Sequence, residues 1–139
     1  MTTIAQQSPS VSAILQQAAR TMFPSNRART IDVRTKSADG DTALHMEALW
    51  GDEAAVDQLL KAGAFVDEPG ARGRSALYYA TLEGHLAVAE RLVTAGANPD
   101  LVMDLGMSPR SIALQIGDQR LIELFEAQGN GAEARLSTQ

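Results

Sequence analysis

Apolar positions in this chain recur at helical spacing inside a longer period. Gly40 to Gly63 reads GDTALHMEALWGDEAAVDQLLKAG; thirty-three residues on, Gly73 to Gly96 reads GRSALYYATLEGHLAVAERLVTAG, and after the same step Gly106 to Gly129 reads GMSPRSIALQIGDQRLIELFEAQG. In the later half of each unit the apolar residues fall in pairs one helical turn apart: Ala55, Val56, Leu59 and Leu60, then Val88, Ala89, Leu92 and Val93, then Leu121, Ile122 and Phe125. That is the stripe of a helix with one buried face. In the earlier half, Thr42, Ser75 and Ser108 stand before a short apolar run as N-caps, and Gly51, Gly84 and Gly117 follow it as left-handed stops. Two short helices and a long turn therefore fill each period. Such helices are marginal in water because their first turn is costly to nucleate, so stacking of neighbouring units must stabilise them.

Ahead of the repeats, Val11, Ile14, Leu15, Ala18 and Met22 recur at helical spacing, with Ser10 as N-cap and Pro24 as stop. This helix has no partner in a unit of its own and reads as a cap over the open end of the stack. At the other end, Arg110 takes the place of Leu44 and Leu77, and Glu126 that of Leu60 and Val93. These charges are expected to make a polar end surface. The organisation expected is a disordered N-terminus (1–9), a cap helix and basic connection (10–36), three units (37–69, 70–102 and 103–129) and a flexible tail (130–139).

Composition narrows the function. The chain has 139 residues, a formal charge of −5 and six aromatic residues, so alanine and leucine must build a core of closely stacked helices. Residues 1–36 carry five cations against Asp32 alone, which leaves the remaining body strongly acidic. An acidic body repels phosphate backbones and anionic membranes, which argues against nucleic acid or membrane partners and favours a basic protein surface. Cysteine is absent, which excludes disulfides, thiol catalysis and zinc–thiolate sites and fits a reducing compartment. No apolar run is long enough to span a bilayer. The opening MTTIAQQSPS lacks the basic and apolar regions of a Sec-type signal. A cytoplasmic location is expected, with export by another system left open.

The units resemble the ankyrin repeat. The first carries Thr42, Leu44, His45, Ala48, Gly51, Leu59, Leu60, Gly63, Ala64 and Asp67 at the family's positions. The second carries Ser75, Leu77, Ala80, Gly84, His85, Leu92, Gly96, Ala97 and Asp100, and the third is reduced to Ser108, Pro109, Ala113, Gly117 and Gly129. The resemblance implies an all-α solenoid of three helix-turn-helix repeats with hairpin finger loops, behind an N-terminal capping helix. It also implies a concave surface that binds other proteins, without naming the partner.

Carried onto this chain, the family's binding positions are Ala38, Asp39 and Asp41 on the first finger, Ala71, Arg72 and Arg74 on the second, and Asp104, Leu105 and Met107 on the third. At the ends of the first helices they are Leu49 and Trp50, Leu82 and Glu83, and Gln115 and Ile116. Trp50, Leu49, Leu82, Leu105, Met107 and Ile116 would line one apolar groove of the kind that marks an interface, with Trp50 the type of residue that anchors one. Alternatively, the N-terminal segment folds back over Trp50. Arg72 and Arg74 either pair with carboxylates of a partner or form a solvated turn.

Thr42, His45, Glu47 and His85 read as structural. The two histidines fall where the family's rings bond backbone near the turns. Glu47 stands where Ala80 and Ala113 stand, at a place kept small, so its carboxylate would be buried and would need a cation, with Arg20, Arg27 or Arg29 expected to supply one. No phosphate loop, dinucleotide fingerprint or HExxH is present, and Asp39-Gly40-Asp41 lacks the remaining oxygens of a calcium loop. No catalytic residue, metal or cofactor is expected. A free-standing array of this size is expected to act as a stoichiometric inhibitor, such as a bacterial immunity protein against a basic toxin, with a translocated effector or a small regulatory adaptor as alternatives. The sequence leaves monomer and dimer equally open.

Overall fold

The computed structural model describes residues 10–25 and 30–127; the stretches 1–9 and 130–139, expected to be disordered or flexible, lie outside them. All regular structure among the described residues is helical: α1 (Val11–Met22), α2 (Ala43–Trp50), α3 (Glu53–Lys61), α4 (Ala76–Leu82), α5 (Leu86–Thr94) and α6 (Pro109–Ile116), then α7 over residues 119–127.

Local chemistry sets these boundaries. The Ser10 hydroxyl accepts from the Ala13 amide at 3.2 Å and starts α1. Ser75 and Ser108 cap α4 and α6 in the same way, each accepting an amide three residues on at 3.1 Å. Thr42 achieves the same end differently, its own amide donating to His45 Nδ1 at 2.9 Å. At the far ends of α2 and α6, Gly51 (φ 79°) and Gly117 (φ 82°) take the left-handed step. Gly51 is constrained twice, because a Cβ there would lie 2.7 Å from the His85 ring. The α4 end departs from this pattern, since Glu83 stays right-handed and Gly84 makes the turn one residue later.

Each unit opens on a tight finger turn closed by one recurring hydrogen bond. Ser37 N–H donates to Asp41 O at 2.8 Å, Gly70 N–H to Arg74 O at 2.7 Å and Met103 N–H to Met107 O at 2.8 Å. The third finger is tied to the second through Asp104 N–H donating to Arg72 O at 3.1 Å. Thus the fingers, like the helices, are in register through the stack.

The first helices α2, α4 and α6 pack in one row and the second helices α3 and α5 in another, with α1 laid against α2 and α3. The main apolar core runs from Ile14 to Phe125, built largely on Leu44, Leu59, Leu77, Leu92 and Leu121, all sealed from solvent. Burying each such side chain contributes about 1.5–3 kcal/mol, which the short helices lack by themselves. Ile14, Ala18, Ala19 and Met22 of α1 join this core, so the N-terminal end of the stack is covered. The C-terminal end differs from expectation. Arg110 is drawn aside to Asp100 at 2.7 Å, and Leu114, whose counterparts Ala48 and Thr81 are sealed, stands 57% exposed. The end surface is mixed rather than polar.

Candidate functional site

Repetition places the ends of α2, α4 and α6 side by side, while the three fingers lead into the starts of the same helices. Trp50 is 41% exposed, Leu82 also 41% and Ile116 53%, with Glu83 and Gln115 exposed between them. Trp50, Glu83 and Ile116 occupy one register position; Leu49, Leu82 and Gln115 occupy its neighbour. Leu49 is half-buried against the core, and its carbonyl accepts from His85 Nε2 at 3.0 Å. It contributes support rather than free surface. The alternative in which the N-terminal segment covers Trp50 finds no support in α1, which is committed to α2 and α3.

Among the finger positions the structure separates exposed groups from internal ones. Ala38, Asp39, Arg72, Asp104 and Leu105 are exposed. Asp41 is not a contact residue: it is buried, its carboxylate accepting from Ala71 N–H at 2.8 Å and from the Tyr79 hydroxyl at 3.1 Å. The physical reason is that the first finger leans on the second, and a carboxylate at this place satisfies a backbone donor that would otherwise be orphaned. Gly70 leaves the room, since a Cβ there would run into Asp41 and the His45 ring. Arg74 is half-buried with its guanidinium 5.8 Å from the Tyr78 ring centre, and Met107 packs beside Tyr78, Met103 and Ile112. Both are turned toward the finger base, as is Ala71, which is half-buried.

Arg72 is the exception in backbone as well as position. It lies at the tip of the middle finger with φ 56°, the one left-handed residue other than glycine among those described. A side chain held there costs on the order of 1 kcal/mol. Arg72 is exposed, a cation presented at the finger tip.

His45 and His85 bond backbone as anticipated for ring positions near the turns. His45 Nδ1 accepts from the Thr42 amide, so Nε2 carries the proton and donates to Glu68 O at 2.8 Å. Burial holds this ring below its ordinary pKa despite Asp41 nearby, and both ring nitrogens are occupied. The His45 and Tyr79 rings lie nearly perpendicular, edge to face, with centroids 5.9 Å apart. Burial, and then the Asp41 carboxylate, push the Tyr79 phenol up to about 12. Sequence reasoning missed Tyr79 as the partner of Asp41. Tyr78-Tyr79 has no counterpart in the other units, and that lack of repetition was the available signal.

Glu47 is buried, at 3% exposure. Among the described residues no cation pairs with it: Arg20 makes no ion pair with it, and Arg27 and Arg29 lie outside those residues. Burial, followed by repulsion from Asp52, pushes its carboxyl up to about 7. With its carboxyl so raised, Glu47 carries a proton for much of the time near neutral pH.

The family described as ankyrin repeats (3 copies) matches residues 14–103. The chain belongs to the ankyrin-repeat family. The match begins inside α1 and ends at the base of the third finger, so the α6–α7 pair extends the ankyrin array beyond the matched region. No curated protein matches the chain. Ankyrin arrays are protein-binding modules, and this one presents its exposed groups at the helix ends and finger tips where such arrays are read. No helix among the described residues is long and apolar enough to cross a membrane.

Proposed function

We propose that this ankyrin array is a stoichiometric inhibitor that seats a basic partner protein, such as a cognate toxin, on its groove. The observation that carries the reading is the row Trp50, Leu82 and Ile116, three large apolar side chains left open at the same end of three successive helices. Apolar residues so placed are worth most when a partner removes them from water, and tryptophan is among the residue types that most often anchor an interface. Asp39 and Asp104 on the outer fingers, Glu83 between the apolar groups and Arg72 on the middle finger form a polar rim. The acidic body adds long-range attraction for a basic enzyme, which speeds encounter more than it tightens the complex. In this reading Asp41, Leu49, Arg74 and Met107 shape the surface from beneath, and Asp39, Trp50, Arg72, Leu82, Glu83, Asp104, Leu105, Gln115 and Ile116 touch the partner. The protein acts in the cytoplasm without a cofactor.

The test is affinity capture from the source cell with wild type and with Trp50→Ala combined with Ile116→Asp, followed by titration of the captured enzyme. Inhibition should be complete at one equivalent, and association should slow as salt is raised. A partner held equally by both proteins removes the groove from the account. A partner whose turnover is unaffected at saturation removes the inhibitor role while leaving the binding surface.

A further inference from the structure

The two ends of the stack are treated differently. In the units that have a successor, Leu44 and Ala48 of α2, and Leu77 and Thr81 of α4, are sealed. The same two places on α6 are Arg110 and Leu114, and Leu114 is 57% exposed. On the second helices, Val56 and Leu60 and then Ala89 and Val93 give way to Ile122, which is half-buried, and Glu126, which is exposed. At the N-terminal end, by contrast, α1 covers the first unit with its own buried face. Among the described residues, one end is closed by α1, and the other keeps the stripe of a repeat awaiting a neighbour.

We propose that this stripe is a self-association surface through which two copies of the chain meet, α6 and α7 of one against α6 and α7 of the other. Three features favour a second copy. First, with the N-terminal end covered, head-to-tail growth has no surface to use, so contact between C-terminal ends must be two-fold and closed. Second, α6 and α7 form a helical hairpin and run in opposite directions, so Arg110 at the start of α6 and Glu126 near the end of α7 lie at the same edge of the face. A two-fold axis parallel to these helices sets α6 of one copy over α7 of the other, and Leu114 then meets Ile122 while Arg110 meets Glu126, twice. Third, Arg110 uses Nε and one terminal nitrogen on Asp100, at 2.7 and 3.3 Å, which leaves further N–H donors for a second carboxylate. Two short helices on each side make an interface at the small end of the stable range, roughly 1,200 Å² in total. The dimer proposed is a weak one that forms as concentration rises through the micromolar range.

Sedimentation velocity of the full chain tests this over a range spanning roughly 1 to 200 µM, the interval in which such an interface changes occupancy. The expected result is a concentration-dependent shift from monomer to dimer. Leu114→Asp should weaken it at least tenfold with unchanged circular dichroism and melting. Arg110→Glu should weaken it likewise, and Arg110→Glu with Glu126→Arg should restore it. Trp50→Ala with Ile116→Asp should leave it intact. A chain that stays monomeric throughout, a dimer indifferent to Leu114→Asp, a charge reversal that is not rescued, or a dimer broken by the groove variant would each overturn the proposal.

Discussion

Replacing Glu47 by glutamine should stabilise this protein at neutral and alkaline pH and leave it unchanged in acid. The carboxyl is moved from an ordinary 4.5 to about 7 by burial and by Asp52. Because this is an acid whose folded pKa is raised, it costs stability as the pH rises. Below pH 4.5 Glu47 is protonated in both states and costs nothing. Between 4.5 and about 7 the unfolded chain gives up the proton while the folded chain keeps it, and stability falls as pH rises. Above about 7 the full cost applies, about 3 kcal/mol at about 1.4 kcal/mol per pH unit. Glutamine keeps the shape without the titration. Urea unfolding of wild type and Glu47→Gln at intervals from pH 4 to 8 measures the difference directly. Taking the difference matters, because His45, whose folded pKa is lowered, loses stability in the opposite direction as pH falls below its ordinary value, and it does so equally in both proteins. The difference should be near zero at pH 4 and grow to about 3 kcal/mol by pH 8. A difference flat with pH, or a variant less stable than wild type at pH 8, would refute the reasoning. The second outcome would mean that a cation holds Glu47 ionised.

Three further substitutions test individual contacts. Gly51→Ala forces a side chain into a left-handed position and against the His85 ring at 2.7 Å, and should cost about 2 kcal/mol in urea unfolding; an unchanged midpoint would show that the ring moves freely. Tyr79→Phe removes one of the two donors to the buried Asp41 and should cost about 1–2 kcal/mol by the same assay. Arg72→Gly relieves the left-handed backbone and should raise stability by about 1 kcal/mol while weakening partner binding; a gain in both would assign Arg72 no part in recognition.

Whatever recurs at the period was legible in the sequence. Thr42, Ser75 and Ser108, the glycine stops and the leucine pairs are local or near-local signals, and the helices and core follow from them because each unit solves the same packing problem. Departures from the repeat were visible as departures, yet their meaning was not, since it depends on what lies across a unit boundary. Asp41 looked like a finger charge, but only the approach of the second finger and Tyr79 makes it internal. Glu47 was recognised as buried. Its lack of a described cation could not be seen, because long side chains reach partners that sequence spacing does not specify. Arg110 reads as a polar cap, whereas it pairs with Asp100 and Leu114 stands exposed. Substituting a charge at an end position does not by itself make that end polar.

The groove is tested most directly at Trp50, the single tryptophan of the chain. Replacing it with 5-fluorotryptophan gives one fluorine resonance within the proposed contact. On titration with the captured partner that resonance should move or broaden and saturate at one equivalent, as an exposed ring becomes enclosed. A resonance that stays in place while the complex forms would put the partner elsewhere on the molecule.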